Sequence, residues 1–273
     1  MTINVATICK MRYNERMVEN KTILLTIEYD GSEFSGWQRQ PDRPTVQEHL
    51  EKTLSSLLGC RITVNGTSRT DAGVHAYGQR ASFSSDIRIP TERLAAVINN
   101  SLRRYEKGSF ASSPVRIVAA EEKPAGFHAR FDSKGKKYIY RIKNADHIDV
   151  FERNYIYHVK QPLDLGKMRK AAAVLKGTHD FKAFEASGGT PRETTVRTIF
   201  DIDVREITED IIEIHVSGDG FLYNMVRIIT GTLVDMGTGR LERDMEDILK
   251  SRDRKTAGHT APPYGLYLAE VYY

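Results

Sequence analysis

What most constrains this chain is an order of elements that occurs twice. Residues 22–29 form a β-rich run, followed by a polar loop from Asp30 and Gly31 to Pro44. Thr45-Val46-Gln47-Glu48 then has the form of a capping box, and Val46, Leu50, Leu54, Leu57 and Leu58 follow at helical spacing until Gly59. Residues 61–65 and 77–84 read as strands. Pro90 begins a second helix with Leu94, Val97, Ile98 and Leu102 on one face, and residues 115–121 read as another strand. The order is β-α-β-β-α-β, the ferredoxin-like unit.

The same order returns downstream. Residues 136–143 read as a strand and 164–176 as a helix carrying Leu165, Met168, Ala172 and Leu175. Two long strands follow at 195–206 and 211–217, then a strongly apolar helix over 221–236, a further helix over 241–250 and a closing strand over 266–273. The expected fold class is therefore α+β: two ferredoxin-like halves, an extended mainly antiparallel sheet, helices on one face and a cleft between the halves. The expected division is a poorly ordered leader over residues 1–20, an N-terminal unit over 21–125 and a C-terminal unit over 126–273. The leader has no clean period, and Met11 and Met17 offer later starts.

Between the strands at 61–65 and 77–84 lies Gly66-Thr67-Ser68-Arg69-Thr70-Asp71-Ala72-Gly73-Val74-His75-Ala76, too polar and Gly-rich for a core. Asp-Ala-Gly is good turn chemistry, since Asp bonds its own backbone and Gly accepts positive φ. The alternative to a plain turn is a loop presenting the Asp71 carboxylate beside the Arg69 guanidinium on a rigid sheet. No second carboxylate stands near Asp71 in sequence, so the two-acid glycosidase pattern has no local support. His75, His128 and His179 lack metal-ligand spacing, and His75 alone reads first as a hydrogen-bonded structural residue; no metal is expected.

Arg227 stands inside the apolar stretch at 221–236, where an Arg either snorkels to solvent or meets an acid. Lys136, Lys137, Tyr138 and Tyr140 share one strand, whose alternation puts both rings on one face. One ring is expected in the core and one in a cleft, stacking on a base. Between Lys123 and Lys143 there are seven Lys or Arg and one acid, Asp132, a local +6 against +4 for the whole chain. Phe127, Phe131, Tyr138 and Tyr140 are interleaved with these charges, as on nucleic-acid surfaces. Cys9 and Cys60 cannot make a disulfide framework, no apolar segment approaches a membrane span, and Lys10, Arg12, Glu15 and Arg16 interrupt any signal-like run. A cytoplasmic protein with reduced thiols is expected.

The segment from Arg69 to Ala76 resembles the catalytic loop of the tRNA pseudouridine synthase A family, with Ser68 where that family usually has Gly. Phe127-His128-Ala129-Arg130-Phe131 with Lys137-Tyr138-Ile139-Tyr140, His179 to Phe184, Thr195 to Ile199, Phe221 to Arg227 and Ala261 to Leu266 resemble further blocks, in order, over about residues 21–273. The resemblance implies uridine-to-pseudouridine isomerisation at positions 38, 39 and 40 of the tRNA anticodon arm, by a homodimer without a cofactor. It implies Asp71 as nucleophile, Arg227 as its ion-pair partner, Tyr138 stacked on the uracil and Arg69 displacing the flipped base. Whether Asp71 attacks the sugar or the uracil, or takes a proton, stays open. A tRNA-binding module without catalysis and a hydrolytic N-glycosidase are the rival readings.

If Lys134, Lys136 and Lys137 each touch a phosphate, replacing all three flattens the slope of log affinity against log salt by about two units, at roughly 0.7 to 0.9 per contact. A salt titration of RNA binding checks this; an unchanged slope moves the RNA surface elsewhere.

Overall fold

A computed structural model of the chain describes residues 20–106, 109–189 and 193–273. The leader expected over 1–20 lies, except for Asn20, outside the described residues.

The first half contains β1 (Lys21–Tyr29), α1 (Val46–Leu58), β2 (Asn65–Gly66), β3 (His75–Ser85) and α2 (Thr91–Leu102). A separate short hairpin, β4 (Arg104–Glu106) and β5 (Ser109–Ala111), precedes β6 (Val115–Lys123). The second half contains β7 (Gly135–Asn144), β8 (Tyr157–Val159), α3 (Leu165–Val174), β9 (Gly177–Asp180), β10 (Val196–Glu206) and β11 (Ile211–Gly218). It ends with α4 (Met225–Gly237), α5 (Met245–Ser251) and β12 (Leu266–Tyr272).

One sheet runs β6-β1-β3-β12-β7-β11-β10-β9. Within it, β12-β7-β11-β10 is the ferredoxin-like order of the second half, and β6-β1-β3 with β2 on β3 is that of the first. Most pairings are antiparallel. The halves are joined by a parallel one, in which β12 pairs with β3 through Tyr267 with His75 and Leu268 with Ala76. The two strands divide β3 between them: β2 takes its far end at Ala81 and Ser82, β12 its near end.

Strand alternation assigns the faces. Ile23, Leu25, Ala81 and Phe83 of the first half join Tyr138, Tyr140, Ile214 and Val216 of the second in one buried cluster. Leu50 of α1, Leu94 of α2, Met168 of α3, Ile228 of α4 and Ile248 of α5 belong to the same cluster, so all five helices cover one face. The opposite face is polar, with Arg80 paired to Glu121 at 2.6 Å and His215 to Glu213 at 2.8 Å.

The expected start of α1 holds: the Thr45 hydroxyl accepts from the Glu48 N–H at 3.4 Å. Three expected elements are corrected, one of them the helix expected over 241–250, which spans Met245–Ser251. The strand at 61–65 shrinks to Asn65–Gly66. Ile62 and Val64 are buried at alternate positions, but their N–H groups donate to Ser55 Oγ and Glu51 Oε1 of α1 at 2.9 Å each. Helix side chains have taken the donors that a ladder needs. The helix expected from Phe221 begins at Met225, because Asn224 is left-handed, with φ 59°.

Leu268 is fully buried at the strand that joins the halves. Leu268→Ala is expected to destabilise the protein by about 2–5 kcal/mol, read as a lower denaturant midpoint with unchanged slope.

Candidate active site

Residues 67–74 connect β2 to β3 and are held by side chains from elsewhere in the fold. Gln79 of β3, wholly buried, receives the Ser68 N–H on Oε1 at 3.2 Å and donates from Nε2 to the Ser68 carbonyl at 2.8 Å. This amide does for Ser68 what a neighbouring strand would do. The Thr70 carbonyl accepts from the Trp37 N–H at 3.1 Å, and its hydroxyl bonds the buried Tyr29 hydroxyl at 2.7 Å. The Val74 N–H returns to the Asp71 carbonyl at 3.2 Å across a turn in which Gly73 has φ 78°. The Asp-Ala-Gly turn is as expected, and Asp71 sits at a clamped apex.

Arg227 approaches from the other half, in the first turn of α4. Its Nη1 donates to Asp71 Oδ2 at 3.0 Å and to Asn224 Oδ1 at 2.8 Å. Its Nε donates to the Ala261 carbonyl at 2.8 Å. The segment carrying Ala261 crosses α4 at Gly231, where a Cβ would lie 1.9 Å from the His259 carbonyl oxygen. The side chains of Asp71 and Arg227 are 27% and 15% exposed, so the pair is shielded without being sealed. The other Asp71 oxygen, Oδ1, takes no hydrogen bond among the described residues.

Tyr138 of β7 closes the floor. Its hydroxyl donates to Ser68 Oγ at 3.3 Å, and its ring meets Phe221 edge-on at 5.2 Å. Burial is the main cause that pushes the hydroxyl up, the Ser68 hydrogen bond lowers it and the Asp71 charge raises it, for a net value of about 12. The group is therefore a protonated donor at neutral pH. Of the two strand tyrosines, Tyr140 is fully buried with its hydroxyl on the Pro262 carbonyl at 2.7 Å, and Tyr138 reaches the cleft. The expected split between a core ring and a cleft ring is met.

Asp71, Arg227 and Tyr138 meet in a cleft of about 490 Å³ that opens on the helix-bearing side of the sheet. Arg69 is exposed on its lining, with no hydrogen bond or ion pair to Asp71 among the described residues. A strand would have put the two on one face, but residues 67–74 form a loop. Lys136 also lines the cleft, and its Nζ donates to the Thr67 carbonyl at 3.3 Å. Lys137 points to the opposite face of β7 by alternation and is absent from the lining. Arg130 and Arg197 add positive charge around the opening.

His75 is structural, as its first reading has it. Its Nδ1 accepts from the Gly31 N–H at 3.0 Å, Nε2 faces the Asn154 carbonyl at 3.0 Å, and burial lowers its affinity for a second proton. No cluster of three or more His, Cys, Asp or Glu among the described residues is arranged to hold a metal ion, and no described helix is long and apolar enough to cross a membrane. Of the motif blocks, His179 to Phe184 serves the core: Phe181 and Phe184 are fully buried. Sequence reasoning missed Gln79 and Asn224 as holders of the site. Asn224, an Asn just before a helical run, was a readable signal for a left-handed residue. Gln79 carried no signal, because its partner is reached only through the fold.

The family of proteins described as tRNA pseudouridine synthase matches residues 25–132 and 171–273 of this chain. The tRNA pseudouridine synthase A of Ruminiclostridium cellulolyticum is 48% identical over 254 residues, covering 93% of this chain and 100% of that protein. The tRNA pseudouridine synthase A 2 of Clostridium tetani is 46% identical over 256 residues, covering 93% and 99%. The tRNA pseudouridine synthase A of Thermoanaerobacter sp. is 43% identical over 254 residues, again covering 93% and 100%.

Asn224 supplies both a left-handed backbone and an acceptor for Arg227. Asn224→Ala is expected to cost about 1–2 kcal/mol of stability through the left-handed backbone. Asn224→Gly should recover most of that loss. Paired thermal melts check this, and equal melting of the two variants would mean that the backbone conformation costs nothing.

Proposed function

The chain belongs to the tRNA pseudouridine synthase family, and we propose that it isomerises uridine to pseudouridine at positions 38, 39 and 40 of the tRNA anticodon arm, with Asp71 as the nucleophile. The observation that carries this reading is the Asp71–Arg227 ion pair, set beside Tyr138 in a cleft large enough for a base. The reaction breaks the bond between uracil N1 and sugar C1′ and forms one between C5 and C1′. A proton leaves C5 and N1 gains one. Oxidation level is unchanged, so the balance calls for no cofactor. The glycosidic nitrogen and C5 lie on different sides of the ring, so the base must detach, turn and rejoin. That needs a nucleotide flipped out of its stack and a pocket that keeps the freed uracil from escaping.

Each residue has a place in this scheme. Arg227 holds one Asp71 oxygen and leaves the other to react. Tyr138 offers a ring for the uracil to stack on, fixed by its contact with Phe221. Arg69, exposed on the cleft lining, is the cation assigned in this scheme to take the place of the flipped base. Lys136, with Arg130 and Arg197 on the same cleft lining, supplies phosphate contacts, which dominate RNA affinity. A homodimer in the cytoplasm is part of the same proposal.

Asp71→Asn keeps the shape of the side chain and removes its charge. It is expected to fold, to bind tRNA with near wild-type affinity and to form no detectable pseudouridine. Arg227→Ala should slow the same step, and the two losses should not add, since both act on one unit. The assay is tritium release from C5-labelled uridine in an anticodon-arm transcript, with free uracil measured in parallel. Pseudouridine made by deamidation-free Asp71→Asn protein would remove the nucleophile assignment. Free uracil would select the N-glycosidase, and RNA affinity without any product would select a binding module.

A further inference from the structure

Ser68 occupies a position at which its side chain is not required by the backbone. It is absent from the residues with positive φ, and Gln79 holds it by main-chain atoms alone. Yet its hydroxyl is buried, and it accepts the one proton that the Tyr138 hydroxyl can donate, at 3.3 Å. That proton has a competitor. The Asp71 carboxylate, three residues along the same loop, lines the same cleft as Tyr138 and acts on the tyrosine hydroxyl electrostatically. A charged acceptor ordinarily outbids a neutral one. Here the geometry is reversed: the tyrosine bonds the serine, and Asp71 Oδ1 takes no hydrogen bond among the described residues.

We propose that Ser68 is a positioning residue, which by accepting the Tyr138 hydroxyl proton keeps that hydroxyl off Asp71 and leaves the carboxylate oxygen Oδ1 free to react. This rests on the reading of Asp71 as the nucleophile. Three features make it possible in this fold. Gln79 fixes the Ser68 backbone through two hydrogen bonds, so the hydroxyl cannot drift. Phe221 holds the Tyr138 ring edge-on, so its oxygen has a defined place. Tyr138 and Ser68 are 8% and 4% exposed, so water does not readily substitute for the lost acceptor. Without the serine hydroxyl, the tyrosine proton loses its acceptor and is drawn to the charged group that already acts on it, the Asp71 carboxylate, and a hydrogen-bonded carboxylate is a weaker nucleophile.

The test compares Ser68→Ala, Ser68→Gly and Tyr138→Phe, alone and combined, using tRNA turnover and a structural readout that needs no turnover. Ser68→Ala is expected to lower kcat about fivefold, the size of one buried hydrogen bond, with KM and melting temperature nearly unchanged. Ser68→Gly should behave likewise. In a Tyr138→Phe background, which has no hydroxyl proton to misdirect, Ser68→Ala should cost nothing more. A serine that merely packs the loop would lose the same factor in both backgrounds, and that result overturns the proposal. The second readout is fluorine NMR of protein containing 3-fluorotyrosine, with the Tyr138 resonance assigned by its absence from Tyr138→Phe. Ser68→Ala should move that resonance, and Asp71→Asn introduced into Ser68→Ala should move it again. A resonance indifferent to Ser68 overturns the proposal whatever the activity. A wild-type protein that makes no pseudouridine while the resonance still follows Ser68 would fault the assigned reaction and leave the Ser68–Tyr138 contact standing.

Discussion

The site depends on one short seam, the parallel pairing of β12 with the first residues of β3. Two residue pairs, Tyr267 with His75 and Leu268 with Ala76, join sheets that would otherwise be separate. The loop carrying Asp71 leaves the sheet directly before His75, and β12 is bonded on its other side to β7, the strand of Tyr138. A shift of register at the seam would move the Asp71 loop relative to Tyr138 by a residue step of roughly 3.3 Å, more than the hydrogen bond between Ser68 and Tyr138 tolerates. Stacking reinforces the register on the polar face, where the Tyr267 ring lies between His75 at 4.8 Å and Tyr77 at 4.9 Å.

Across that seam the two halves contribute opposite charges. Asp71 comes from a loop held by hydrogen bonds to Tyr29, Trp37 and Gln79 of the first half and to Lys136 and Tyr138 of the second. Arg227 comes from the opening turn of α4 and is braced by Asn224 and the Ala261 carbonyl. Half-shielded charges cost desolvation unless their geometry is fixed, and here further hydrogen bonds hold both the Asp71 loop and Arg227 in place. That arrangement also explains the partial exposure. A carboxylate that must react with a nucleotide cannot be closed off, and a guanidinium that holds it must not be free to turn away.

Much of the fold was legible in the chain because its signals are local. Thr45, the leucines after it and Gly59 mark α1 without reference to anything else. Alternation in β7 correctly put Tyr138 and Tyr140 on one face, since a strand has only two. The failures came where a distant group competed for a local preference. Ile62 and Val64 alternate like a strand, and side chains of α1 took their N–H groups. Arg69 and Asp71 are spaced to share a strand face, and the loop that holds them is not a strand.

The site divides in the same way. The presence of an acid in a polar Gly-rich turn, an arginine inside an apolar helix and two tyrosines on one strand could be read from residue types and spacings. That Arg227 meets Asp71, 156 positions away, was an expectation from resemblance, and no local pattern encodes it. That Lys137 does not face the cleft depends on which side of β7 the helices cover, and which tyrosine does depends on where along β7 the cleft opens. The Ser68–Tyr138 contact and the Gln79 clamp have no sequence trace at all. Sequence by itself determined the elements and the inventory of reactive groups, because propensity and periodicity act over a few residues. Tertiary structure alone decided which of those groups touch, because hydrogen bonds and ion pairs act over a few ångströms, and the packing of the two halves brings these residues that close.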